Sequence, residues 1–139
     1  MKKNRNFVVG FTLIELMITV AIVAILTVLA LPSYTRYIVR SNRSAAQGYI
    51  LEVSGLQQRY LLDARAYAPD LTTLNSTVPA NVAPNYAVAT APNPPASAPG
   101  FTVTATPINA QLVNDTDCNT LTIDQAGTKT VSGTGLKCW

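Results

Sequence analysis

Between Phe7 and Leu31 the chain carries one charge, Glu15, in a run whose only other residues outside the apolar class are Gly10, Thr12, Thr19 and Thr27. Wound into an α-helix at about 1.5 Å per residue, that stretch extends roughly 37 Å, enough to cross the hydrocarbon layer of a bilayer. A carboxylate in such a run opposes insertion by roughly 3 kcal/mol, so it is expected to have a partner and a role. Thr12 and Glu15 also fit the S/T-x-x-E pattern, in which the two side chains close the first amides of a helix. A cleaved secretory signal, which is cut after its apolar core at small residues, is the other reading of such a run. Basic residues stand on both sides of it, Lys2, Lys3 and Arg5 before and Arg36, Arg40 and Arg43 after, and the charge rule for orientation is close to a tie.

The rest of the composition narrows the function classes. With 139 residues the chain has room for one modest domain beside the apolar segment. Its formal charge is +3, but Lys2, Lys3 and Arg5 precede Gly10, and from Phe11 onward seven basic side chains face seven acidic ones. That balance argues against nucleic acid as a partner, since phosphate binding needs clustered, uncompensated cations. There is no histidine, which removes the commonest general acid–base group and the commonest metal ligand. No glycine-rich phosphate loop, nucleophile elbow or paired-cysteine metal motif is present, so no enzyme, cofactor or small-molecule substrate is expected. The two cysteines, Cys118 and Cys138, both fall in the last quarter of the chain and are expected to pair.

Beyond Leu31, Pro32 removes a backbone donor and is expected to kink the helix, whose pattern then resumes. On a 100° wheel Ala46, Tyr49, Ile50, Val53, Leu56, Gln57, Tyr60 and Ala64 share one face, predicted to cover a sheet. Ser44, Gly48, Leu51, Gly55 and Leu62 lie opposite, a small-and-apolar stripe suited to helix packing in an assembly. Residues 65–85 read as a loop with one short helical turn around Pro69–Leu74. Strand patterns follow at Tyr86–Thr90, Phe101–Thr106, Leu121–Asp124 and Lys129–Val131, with a proline-rich turn from Pro92 to Gly100 and turn residues at Ala126 and Gly127. Arg36, Arg40 and Arg43 fall on one side of the helix, as a collar at lipid headgroups, as partners for a neighbouring head or, a distant third, as a contact for DNA. Asp115, Asp117 and Asp124 lack the spacing and glutamate of a calcium loop and read as a solvated acidic turn.

Lys2, Lys3 and Arg5, then Gly10, then Phe11-Thr12-Leu13-Ile14-Glu15 resemble the prepilin signal of type IV pilins and type II secretion pseudopilins. The resemblance is strong from Lys2 to Pro32 and looser afterwards, where the cysteine pair around the last strands resembles the disulfide-bounded region of pilin heads. Within the family the short leader and mature N-terminal phenylalanine resemble class IVa, and the ending Gly135-Leu136-Lys137-Cys138-Trp139, with the Phe101–Pro107 strand, is most similar to PilE-type minor pilins. The resemblance implies an α+β fold, a long kinked N-terminal helix packed on a small four-stranded antiparallel sheet in the pilin lollipop. It implies a leader at 1–10, a transmembrane and filament-core helix half at 11–43, and a periplasmic head at 44–139. It further implies cleavage between Gly10 and Phe11 by a prepilin peptidase, methylation of Phe11, and an assembly role for Glu15. The partners implied are other pilin subunits, the peptidase, the inner membrane and the assembly machinery. The expected location is the bacterial inner membrane in a single pass, then the extracellular pilus. The expected function is that of a structural subunit, most similar to a minor pilin, supporting pilus biogenesis, adhesion or twitching motility. A major pilin, a pseudopilin and a membrane-anchored binding module that never polymerises stay open as alternatives.

Overall fold

The computed structural model describes residues 10–94 and 98–139. The leader cations Lys2, Lys3 and Arg5, and Pro95–Ser97 of the proline-rich turn, lie outside the described residues. Two compact units result, Met1–Arg36 and Tyr37–Trp139, and helix α1, Leu13–Ala64, supplies residues to both.

In the first unit α1 is a bare apolar helix. Every side chain described from Phe11 to Val28 is exposed, and the segment is long and apolar enough to cross a membrane. Three of its threonine hydroxyls find partners within the helix: Thr19, Thr27 and Thr35 donate to the backbone carbonyls of Leu16, Val23 and Leu31 at 2.9, 2.7 and 3.2 Å. Such back-bonding removes the cost of carrying polar groups into hydrocarbon. The helical assignment runs on through Pro32, whose side chain lies outside the described set.

In the second unit the predicted stripe on α1 forms one wall of the core. Ala46, Tyr49, Ile50, Val53 and Gln57 are buried, Leu56 and Tyr60 are half-buried, and only Ala64, the last helical residue, is exposed. The opposite stripe of Ser44, Gly48, Leu51, Gly55 and Leu62 is exposed throughout. The other wall is an antiparallel sheet in the order β1 (Tyr86–Pro92), β2 (Phe101–Pro107), β3 (Leu121–Asp124) and β4 (Lys129–Val131). Strand β2 shows the period-two pattern most clearly: Phe101, Val103, Ala105 and Pro107 are buried while threonines fill the alternate positions. Leu121 and Ile123 of β3 join them, and Tyr67 closes the core edge-on to Phe101 with ring centroids 5.0 Å apart. The hairpin from β3 to β4 turns at Gly127, whose φ of 78° suits glycine, while Asp124 Oδ1 accepts from the amides of Ala126 and Thr128 at 2.9 and 2.8 Å.

Gln57, a polar residue on the apolar face, is fully satisfied. Its amide nitrogen donates to the Ala68 carbonyl and to Thr90 Oγ1, both at 2.9 Å, and its oxygen accepts from the Ala68 amide at 2.8 Å. It thereby fastens the chain leaving α1 to the first strand. Between β2 and β3 lies a short helix that the sequence pattern did not predict, α2, Asn109–Asn114. The stretch around Pro69–Leu74 forms hydrogen-bonded turns, with Asp70 Oδ1 accepting from the Thr73 amide at 2.7 Å.

Candidate functional site

In the first unit the motif residues sit where the sequence places them. Thr12 immediately precedes α1, and Glu15 lies in its first turn. Glu15 Oε2 accepts from the Thr12 amide at 3.0 Å and from Thr12 Oγ1 at 2.9 Å, and Thr12 Oγ1 accepts from the Glu15 amide at 3.3 Å. This reciprocal arrangement is a capping box. Both Thr12 bonds fall on Oε2, so Glu15 Oε1 accepts no hydrogen bond from any described residue. Phe11 is 86% exposed, and a Cβ built on Gly10 would meet nothing within 4 Å. The fold therefore does not require glycine at position 10; a requirement there would have to come from a protein that reads the peptide.

In the second unit Cys118 and Cys138 form the expected disulfide, with Cα atoms 5.4 Å apart. The bond holds the C-terminal segment against the turn that leads into β3, and the Gln47 amide on α1 donates to the Cys138 carbonyl. Trp139 is fixed as well, its indole N–H donating to the Thr130 carbonyl at 3.1 Å and its ring lying 5.1 Å from Lys129 Nζ. Gly133 passes so close to the Asp117 carbonyl that a Cβ would collide with it, and the carbonyl carbon of Cys118 stands only 3.0 Å from the same point.

Two expectations for this region need correction. Asp115 is not part of a solvated acidic turn: it is 2% exposed and accepts from Tyr86 Oη at 2.8 Å, Gln111 Nε2 at 3.0 Å and the Arg43 guanidinium. Arg43 is accordingly not free for lipid or for a neighbouring subunit, because it pairs within its own head. Burial works against its charge, but the hydrogen bond and charge of Asp115 outweigh that and hold the guanidinium above its ordinary pKa. Gln111 completes the junction by donating also to the Val39 carbonyl of α1 at 3.1 Å. Sequence reasoning missed the cluster of Tyr86, Gln111 and Asp115. Its one local signal is the i, i+4 spacing of Gln111 and Asp115 across α2. Among the described residues no three acidic, histidine or cysteine side chains gather as a metal site.

With this geometry in hand, similarity to known proteins becomes specific. Residues 10–31 match the family model "Prokaryotic N-terminal methylation motif", and residues 32–122 match "Type IV minor pilin ComP, DNA uptake sequence receptor". The chain is 47% identical over 72 residues to "Type IV major fimbrial protein FimA" of Dichelobacter nodosus, a stretch covering 50% of this chain and 43% of that protein. It is 35% identical over 77 residues to "Type IV wide pilus major component PilA4" of Thermus thermophilus, covering 52% and 59%. It therefore spans about half the length of the curated relatives it matches. Among solved structures it resembles a type IV pilin from Shewanella oneidensis at a TM-score of 0.52 and 26% identity, over 73% of this chain and 97% of that one. The second family model spans well over half of the chain, the methylation motif lies on Gly10, Phe11 and Glu15, and the helix and four-stranded sheet match a solved pilin: the chain belongs to the type IV pilin family.

Proposed function

We propose that this chain is a minor subunit of a type IV pilus, cut between Gly10 and Phe11, methylated at Phe11 and drawn from the inner membrane into the filament or its initiation complex. The observation that carries the minor reading is the match over residues 32–122, which is to a minor-pilin family and lies outside the N-terminal motif. The named relatives are mostly major fimbrial proteins, but each is matched over only about half its length. In this reading the apolar half of α1 is both membrane anchor and filament core, with a kink at Pro32. Glu15 closes its own helix through Oε2 and offers Oε1 to the amine of a neighbouring subunit's Phe11. An opposite charge in a water-poor setting is strong enough to set the register of one helix against the next. The head, outside the membrane, supports pilus biogenesis, adhesion or twitching motility.

The test is stoichiometry. In sheared filaments this chain should be far less abundant than the main subunit, and its deletion should reduce surface piliation. A chain that makes up most of the filament mass would establish a major pilin and overturn the minor reading. The family model's description also mentions DNA uptake. The neutral balance of charge from Phe11 onward does not favour DNA as a partner of this chain.

A further inference from the structure

Within the second unit, α1 and the C-terminal segment leave a cleft of about 450 Å³, lined by Arg40, Arg43, Gln47, Lys137, Cys138 and Trp139. No side-chain carboxylate lines it. Arg43 is committed to Asp115 and the Gln47 amide to the Cys138 carbonyl, whereas Arg40 and Lys137 are exposed and bond to no described residue. Lys129, stacked on Trp139, adds a third cation beside the aromatic wall. The disulfide, the Gln47 bond and the Trp139 bond fix the wall, so the cations stand over a preformed hollow. A second hollow that shares Arg40 and Lys137 is also lined by Asp117, so an anion is favoured in the one lined by Trp139.

We propose that this cleft binds the phosphate of an acidic phospholipid headgroup while the subunit resides in the membrane. Two cations without a side-chain carboxylate between them match one phosphate group, and the tryptophan ring, its N–H already satisfied by the Thr130 carbonyl, adds an apolar wall of the kind found where proteins meet the membrane surface. Arg40 follows Leu31, the end of the apolar run, by nine residues on the same helix, and the exposed Tyr34 and Tyr37 lie between them. Acidic lipid attracts basic side chains in this position, and the attraction weakens with salt. A nucleic acid would need a longer row of uncompensated cations than a single cleft presents. The inference rests on the membrane-resident reading of the apolar helix.

Trp139 is the only tryptophan in the chain, so its fluorescence reports on the cleft directly. The full chain would be reconstituted into vesicles of phosphatidylcholine alone, or of phosphatidylcholine with phosphatidylglycerol, and quenched with neutral acrylamide. Quenching should fall about twofold in the acidic vesicles and return at high salt. Arg40→Gln and Lys137→Gln should quench equally in both vesicle types; neither side chain holds the fold through a bond. Arg59→Gln, which removes the same charge elsewhere on the head, should behave as wild type. Equal quenching of wild type in both vesicle types, with the chain floating with both, overturns the proposal and leaves membrane residence intact. Failure to float overturns both. Protection by soluble glycerol phosphate or by duplex DNA, without protection by acidic vesicles, assigns the cleft to that anion and overturns the lipid assignment.

Discussion

Arg43 and Asp115, 72 positions apart in sequence, meet in a two-point ion pair, Nη2 to Oδ1 at 2.6 Å and Nε to Oδ2 at 3.0 Å, in which the Asp115 side chain is wholly covered and that of Arg43 is 13% exposed. The pair ties α1 to the end of α2, and Tyr86 and Gln111 fill the remaining acceptor sites of the carboxylate. Removing one member leaves the other charge buried without its partner. Arg43→Met is therefore expected to destabilise the head by about 3 kcal/mol, and the double change Arg43→Met with Asp115→Asn by less than the sum of the singles. Urea unfolding of a soluble fragment beginning at Tyr37 measures both. Single variants within about 0.5 kcal/mol of wild type would show that the junction contributes little.

The disulfide closes a loop with a sequence separation of 20, for which the chain-entropy account gives about 3 kcal/mol. Replacing both cysteines by serine should lower the unfolding free energy by about that much, and reductant should do the same to wild type. Gly133→Ala should weaken the same region, because its Cβ would press on the backbone at Asp117 and Cys118. Thiol alkylation of native, unreduced protein should label neither cysteine.

Tyr86 is 1% exposed, and burial, reinforced by the hydrogen bond and charge of Asp115, pushes its hydroxyl well above the ordinary tyrosine range. Its neutral form is the one the fold favours. The stability it contributes is therefore fully present below about pH 10, the unfolded value, and is lost as pH rises toward the folded value. In an alkaline absorbance titration Tyr86 should ionise only as the head unfolds, and Tyr86→Phe should remove that late step. On the acid side, amide hydrogen bonds hold Asp70 and Asp124 below the usual carboxylate range, so their contribution is lost as pH falls through those lowered values.

Glu15→Gln separates capping from assembly. The amide keeps an oxygen for the Thr12 amide but has no charge to offer an amine, so the helix should still form and insert, at lower cost than wild type. A cleaved, membrane-resident variant that is scarce in sheared pili is expected. Equal recovery of wild type and variant from filaments, against the same membrane pool, would leave Glu15 as a cap alone.

What the sequence disclosed and what it withheld follow from how far apart the interacting residues lie. The Thr12–Glu15 box is local, three residues wide, and could be read directly. The alternation of threonine with apolar residues in Phe101–Pro107 likewise announced β2, and the bounds of β3 and β4 matched their short alternating runs. Helix α2 is six residues long, too short to show a helical period, and its buried side is polar, Gln111 followed by Asp115. Asp115 looked solvated because its neighbours Asn114, Thr116 and Asp117 are polar. Its burial depends on Arg43, Gln111 and Tyr86 arriving together, which no local pattern encodes. Arg36, Arg40 and Arg43 shared a side by spacing, and only the folded head reveals that Arg43 turns inward while Arg40 stays outside.

Processing at Gly10 and entry into a filament define a pilus subunit, and the N-terminus of the chain recovered from sheared filaments tests both at once. Mass spectrometry of that material should find the chain beginning at Phe11 and carrying one added methyl group on its amine, with Gly10→Val accumulating uncut in the membrane. A filament fraction lacking the chain, or a mature N-terminus at any other residue, would contradict the claim that this protein is a processed pilus subunit.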